Sequence, residues 1–190
     1  MRSAPTTADV PSIFTHAAIP LAPWAAADRG RISTRLLGAG IAASMRPDLD
    51  VIAFVRHIPC ADAFGHRSAS HWLLFAAVLG VLGALLHRPL RAGALQAATW
   101  TLVCTVSHPL LDALSCGRLG VALAWPWREQ RWFARCRPIR VAPFANGSFG
   151  VRGMATPWSE LRWVWLPLAA AVGTWKLLQA PPSPASRSLP

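Results

Sequence analysis

The sequence predicts an all-α fold, a polytopic transmembrane helical bundle of about 4–5 apolar segments with a surface loop region. Three observations predict it. Of 190 residues, 53% are hydrophobic and only 14% charged, too little polar surface to wrap a water-soluble globule. The apolar residues fall in long blocks, His71–Leu86, Ala94–Leu114 and Trp163–Leu178. Arg and Pro collect between the blocks. A soluble all-helical core is the less favoured competitor.

Taken in order, residues 1–12 read as a disordered lead, and residues 13–178 as a single membrane-embedded helical domain. Ile13–Ala27 is apolar but interrupted by Pro20 and Pro23, which suits a kinked span or a re-entrant segment. Asp28–Arg35 is a polar turn. Leu36–Val55 is apolar apart from Arg46, Asp48 and Asp50, and Pro47 is expected to push Arg46 out of α geometry and break the helix there. Arg56–Ser70 reads as a loop. His71–Leu86 and Ala94–Leu114 then form a hairpin of two spans; the second meets the roughly 20-residue length of a crossing and the first needs its flanks. Residues 115–162 carry Pro126, Pro138, Pro143 and Pro157 with many Arg and Trp, and read as an interfacial, cytoplasmic connection. Trp163–Leu178 is a last span, and the Pro/Ser-rich residues 179–190 a disordered tail.

The net charge is +11, and every cation except Lys176 is Arg. A pI near 11.6 raises the question of nucleic acid, but no nucleic-acid-reading motif is present and the Arg residues flank apolar segments. The expected partner is the lipid bilayer, with no nucleic acid. If each block crosses once from a cytoplasmic N-terminus, Arg2, Arg46, Arg56, Arg67 and the Arg residues of 118–162 share one side. That richer side is expected to be cytoplasmic. Cys60, Cys104, Cys116 and Cys136 form no CxxC pair, which argues against a disulfide framework or zinc ribbon. No cleavable signal peptide is evident.

This threading places the unusual polar residues together. His16 opens the first segment, Asp48 and Asp50 close the second, His66 and His71 precede and open the third, and His108 and Asp112 lie near the end of the fourth. Alternating crossings bring all seven to one layer near the cytoplasmic face. An Asp at the centre of a membrane helix costs about 2.5–3.5 kcal/mol. A divalent cation offsets carboxylates directly, and neutral imidazoles complete its shell. His108 and Asp112, four residues apart, share a helical face; alone, they read as well as a hydrogen-bonded pair at a helix end. Asp48 and Asp50 can aim at one point only in irregular backbone. Arg67 is a candidate contact for an anionic oxygen, weighed against a snorkelling headgroup contact. His16 alone would read as a satisfied core histidine. His57 and His87 join no cluster, and Trp125, Trp127, Trp132, Trp163 and Trp165 suit an aromatic belt.

These residues resemble the YdjM-type family of bacterial inner-membrane proteins, and the resemblance implies a metal-dependent hydrolase. FTHAAIPLA (14–22), PDLD (47–50), GHRSASH (65–71) and SHPLLD (107–112) carry it, followed in the family's order by WPW (125–127) and SELRWVWLP (159–167). It covers about residues 13–167. Ser68, Ser70 and Trp72 stand where the family's central motif has Gly, Thr and Ser, and Pro109 is unusual; the ligand-type residues remain.

The residues themselves indicate a metal site, and the resemblance adds hydrolysis. The expectation is a membrane-bound metal-dependent hydrolase of a lipid-like (phospho)ester at the cytoplasmic face, multi-pass in the bacterial inner membrane. It would use one or two divalent ions, Zn first with Mn or Fe also compatible. His71, His108 and Asp112 are the core ligands, His16 and His66 additional ones. Asp48 and Asp50 serve as ligand or general base, and Arg67 as anion contact. The alternative is a non-catalytic membrane protein whose cluster is structural, sensing or ion-handling. The apolar middle of the hairpin disfavours a transport path, and the accompanying carboxylates disfavour haem.

Overall fold

The computed structural model describes residues 9–10, 13–51, 56, 69–117, 120–128, 130–143 and 151–179. Among them the protein is all-α apart from one pair of two-residue strands. The chain runs through β1 (Asp9–Val10), α1 (Ile13–His16), α2 (Ala18–Ala26), α3 (Thr34–Met45), a 3₁₀ turn (Arg46–Val51), a second 3₁₀ turn (Ala69–His71), α4 (Leu73–Leu85), α5 (Ala94–Ala113), β2 (Ala142–Pro143) and α6 (Val151–Glu160). A π turn (Leu161–Trp165) then leads into α7 (Leu166–Gln179).

Local chemistry sets the ends of these elements. Ser33 caps α3, its hydroxyl accepting from the Leu36 N–H at 3.0 Å. The same hydroxyl donates to the Leu90 carbonyl at 2.5 Å, tying the start of α3 to the turn between α4 and α5. Gln96 Nε2 donates to the Arg31 carbonyl at that end. Lys176 Nζ donates to the Ala27 carbonyl, so α7 runs beside α2 and finishes there too. At the other end, α3 stops at Met45 just before Pro47. Arg46, however, keeps right-handed helical angles, φ −58° and ψ −39°. The expected departure from helical geometry at Arg46 is therefore corrected. Pro47 withholds the N–H that would continue the α ladder, and the chain tightens into 3₁₀ winding.

α5 is the axis of the bundle. It packs most extensively on α4 and then on α3. The α4–α5 contact is made by small residues: Ala76, Gly80 and Gly83 face inward. A Cβ on Gly83 would meet Thr101 Oγ1 and sit 2.7 Å from the Ala97 carbonyl oxygen, so only glycine permits this approach. Hydroxyls on the buried face of α5 are satisfied within the helix, Thr101 by the Ala97 carbonyl (2.8 Å) and Thr105 by the Thr101 carbonyl (2.7 Å). The large residues of α4 point outward: Leu73, Leu74, Val78, Val81, Leu82 and Leu85 are all exposed. Small residues inside and large apolar residues outside is the pattern of helices packed in lipid. Among the described residues, a buried apolar cluster forms where Ala18, Leu111, Ile139 and Val164 meet.

Three expectations need correction. Among the described residues no helix is long and apolar enough to cross a membrane, so full crossings by each block lack the helices they require. α4 has 13 residues and α7 has 14, roughly 20 Å each at 1.5 Å per residue against a hydrocarbon core of roughly 30 Å. α5 has the length, 20 residues, but carries Gln96, Ser107, His108 and Asp112. The lead is also not wholly unstructured, since Asp9 and Val10 pair antiparallel with Pro143 and Ala142. Finally, the segment read as a surface connection up to residue 162 is helical from Val151, and the winding continues through the π turn into α7. Thr156, Ser159 and Glu160 are buried on it. Residues 1–8 and 180–190 lie outside the described residues.

Candidate metal centre

Four segments deliver side chains to one end of the bundle. The single turn of α1 carries His16 against α3 and α5. The 3₁₀ turn after α3 carries Asp48 and Asp50, which its threefold winding sends in different directions. The short turn before α4 carries His71, and the last turns of α5 carry His108 and Asp112 on one face. His16, His71 and His108 have no exposed surface, and Asp112 and Asp48 are 1% and 8% exposed. Of the seven expected ligands the structure brings these five and Asp50 together. His66 and Arg67 lie outside the described residues.

The distances are those of a coordination shell. His71 Nε2 stands 3.1 Å from His108 Nε2 and 3.1 Å from Asp112 Oδ2. His108 Nε2 stands 3.4 Å from Asp48 Oδ1 and 3.6 Å from Asp112 Oδ2. Donor atoms about 2.0–2.1 Å from one tetrahedral ion are separated by roughly 3.3 Å, so these spacings fit.

Hydrogen bonding behind the imidazoles decides what their front nitrogens present. His108 Nδ1–H donates to the Ser44 carbonyl at 2.7 Å; a carbonyl only accepts, so the proton lies on Nδ1 and the lone pair of Nε2 faces the cluster. His71 Nδ1 lies 3.2 Å from Asp50 Oδ2, an acceptor that assigns its proton likewise. Ser70 Oγ donates to the same oxygen at 2.7 Å. Both Nε2 lone pairs then face two carboxylates. With both imidazoles neutral, four acceptors converge where burial excludes water, an arrangement that a bound cation would offset. His16 has both ring nitrogens buried without a hydrogen-bond partner. Groups of His and Asp able to hold an ion are thus present as His16–His108–Asp112 and Asp48–His71–His108, each with ligand atoms within 4.8 Å of one another.

Asp50 stands behind His71 and orients it, whereas Asp48 faces the imidazoles directly. Sequence reasoning treated the two carboxylates alike and missed the supporting roles of Ser70 and the Ser44 carbonyl. Ser70, next to His71 in the 65–71 motif, offered a signal; a backbone carbonyl offers none.

Around this end lie exposed Trp127, Trp132, Phe133, Trp158 and Trp163. The Leu73 N–H to Leu123 carbonyl bond and the Ala134 N–H to Ala113 carbonyl bond hold the 120–134 loops here. Arg137 sits over the Phe133 ring at 4.7 Å and Arg162 over Trp163 at 5.5 Å.

A helical body that turns its large apolar residues outward and gathers His and Asp at one end under Trp and Arg defines a small helical protein with a candidate metal centre. The chain belongs to the YdjM inner membrane protein family, which it matches over residues 12–181. It is similar to inner membrane protein YbcI of Escherichia coli (strain K12), with 39% identity over 165 residues, 83% of this chain and 92% of the relative. No solved structure matches.

Proposed function

We propose that the protein is a metal-dependent hydrolase of the bacterial inner membrane, acting on an amphiphilic ester or phosphoester at the cytoplasmic face. One observation carries this reading: Asp48 Oδ1, His71 Nε2, His108 Nε2 and Asp112 Oδ2 meet as acceptors at 3.1–3.6 Å in a buried site. A bound divalent ion supplies a Lewis acid and lowers the pKa of a coordinated water toward neutrality. Zn suits the mixed N/O set, and Mn or Fe use the same donors.

The chain's own residues do the rest. Asp50 and the Ser44 carbonyl fix the tautomers of His71 and His108, keeping both lone pairs forward. Asp48 and Asp112 balance the charge of the ion. His66 is proposed as a further ligand and Arg67 as the contact for an anionic substrate oxygen. The apolar flanks of α4, α5 and α7 would sit among acyl chains, with the Trp- and Arg-bearing end at the headgroups. That this end is cytoplasmic is part of the proposal and rests on the Arg excess there.

One observation favours a second reading. Near-complete burial of the imidazoles and Asp112 resembles structural metal sites, which are closed, whereas catalytic ones keep a position open. A non-catalytic protein with a structural or sensing ion is therefore the alternative.

The test is metal analysis of detergent-purified protein, wild type against His108→Ala and Asp112→Asn, followed by assays on ester and phosphoester lipids. The proposal expects stoichiometric metal in the wild type only, and turnover that stops on chelation. Turnover surviving metal removal refutes the mechanism. Stoichiometric metal without turnover of any lipid supports the structural alternative.

A further inference from the structure

We infer that the cluster is built for two ions, with His16 holding the second and Asp48 and Asp112 bridging both. The inference rests on the metal-centre reading above.

Both carboxylates are split between the same two directions. Asp48 turns Oδ1 toward His108 Nε2 at 3.4 Å and Oδ2 toward His16 Nε2 at 3.8 Å. Asp112 turns Oδ2 toward His71 and His108, at 3.1 and 3.6 Å, and Oδ1 toward His16 Nε2 at 3.9 Å. A carboxylate serving one ion can do so through one oxygen. Two carboxylates dividing their oxygens in the same sense are placed as bridges, the arrangement two-metal hydrolases use.

His16 makes the division necessary. It has no exposed surface and lies in the cluster with both ring nitrogens unpartnered. Buried polar groups are rarely left so without a bound species to satisfy them. Its ring stacks on His108 with centroids 3.6 Å apart and planes at 19°. It therefore lies beside His108 and does not compete for the four-donor site in front of it. That site already has a full tetrahedral complement in His71, His108, Asp48 and Asp112. His16 with the two remaining carboxylate oxygens supplies three ligands, the number that leaves a position open for water or substrate in catalytic sites. The four-donor site fills first. The His16 site, with one ligand fewer, binds its ion more weakly.

Metal-stripped protein in detergent is titrated with Mn²⁺, bound metal is counted by mass spectrometry after desalting at saturation, and the spin state is read by electron paramagnetic resonance. Expected are two ions per wild-type chain with an exchange-coupled spectrum. His16→Gln should lose one ion and show the uncoupled six-line signal of isolated Mn²⁺. Saturation of the wild type at one ion, or retention of two coupled ions by His16→Gln, overturns this inference and leaves the metal-centre reading intact. Wild type that binds none overturns both. Thermal unfolding checks that His16→Gln is folded; if it is not, the wild-type count and spectrum decide alone.

Discussion

His108 is engaged on every side. Its Nδ1 bonds the Ser44 carbonyl, its Nε2 faces His71, Asp48 and Asp112, and its ring lies under His16. The residues that hold such a ring tune its affinity for an ion as effectively as the ligands themselves. Asp50→Asn keeps the shape of the carboxylate beside His71 but removes its charge. It should weaken metal binding by about 10–100-fold, the usual effect of losing a carboxylate behind a ligating imidazole. Competition with a fluorescent chelator measures it, and affinity equal to wild type rejects the orienting role of Asp50. Protons compete for the same lone pairs. An imidazole must be neutral and a carboxylate ionised to coordinate, so metal retained after desalting should fall as the buffer is acidified. Retention independent of pH would contradict ligation by His71 and His108.

Among the elements, the α4–α5 hairpin depends on side chains that are absent. Gly83→Ala would put a methyl group 2.7 Å from the Ala97 carbonyl oxygen, a backbone atom unable to step aside. It should cost about 1–3 kcal/mol, as overpacking of a tight interface does, and lower the thermal midpoint in detergent. Gly93→Ala, where a Cβ meets nothing within 4 Å, is the control expected to change little. Much of this architecture could be read in the sequence. The blocks at 71–86 and 94–114 contain α4 and α5, because uninterrupted apolar residues favour one continuous element. The convergence of His16, Asp48, His71, His108 and Asp112 followed from alternation of segments. Helix length could not be read so easily. Apolar residues run past the point where α4 ends at Leu85, since the turn that follows carries Leu86 and Leu90. Nor was the helix from Val151 visible: Pro157 and the local Arg and Trp residues suggest a surface loop, while the burial of Thr156, Ser159 and Glu160 depends on neighbours far away in the chain. Asp48 and Asp50 took separate roles because 3₁₀ winding, which Pro47 hinted at without specifying, rotates them apart.

For the molecule as a whole, orientation is the property most open to test. Cys116 and Cys136 are exposed at the metal-centre end, and Cys104 is buried in α5. In a Cys60→Ser background, a membrane-impermeant maleimide should label Cys116 and Cys136 in inverted inner-membrane vesicles and leave them unlabelled in intact spheroplasts. The reverse pattern would place this end in the periplasm and remove the cytoplasmic face from the proposal. Labelling of both cysteines from either side of sealed membranes would count against a fixed orientation.

The ligands also arrive at different times. His16, Asp48 and His71 leave the ribosome well before His108 and Asp112, which close the set from the far end of α5. Until then the growing chain must carry bare carboxylates against lipid, or keep those segments out of it. A chain cut short before α5 would be an orphan intermediate with charges and nothing to neutralise them, the kind of species that membrane quality control removes. On the metal-centre reading, an ion would be captured only once α5 docks, before α6 and α7 are needed, so occupancy would record that the helices through α5 have come together.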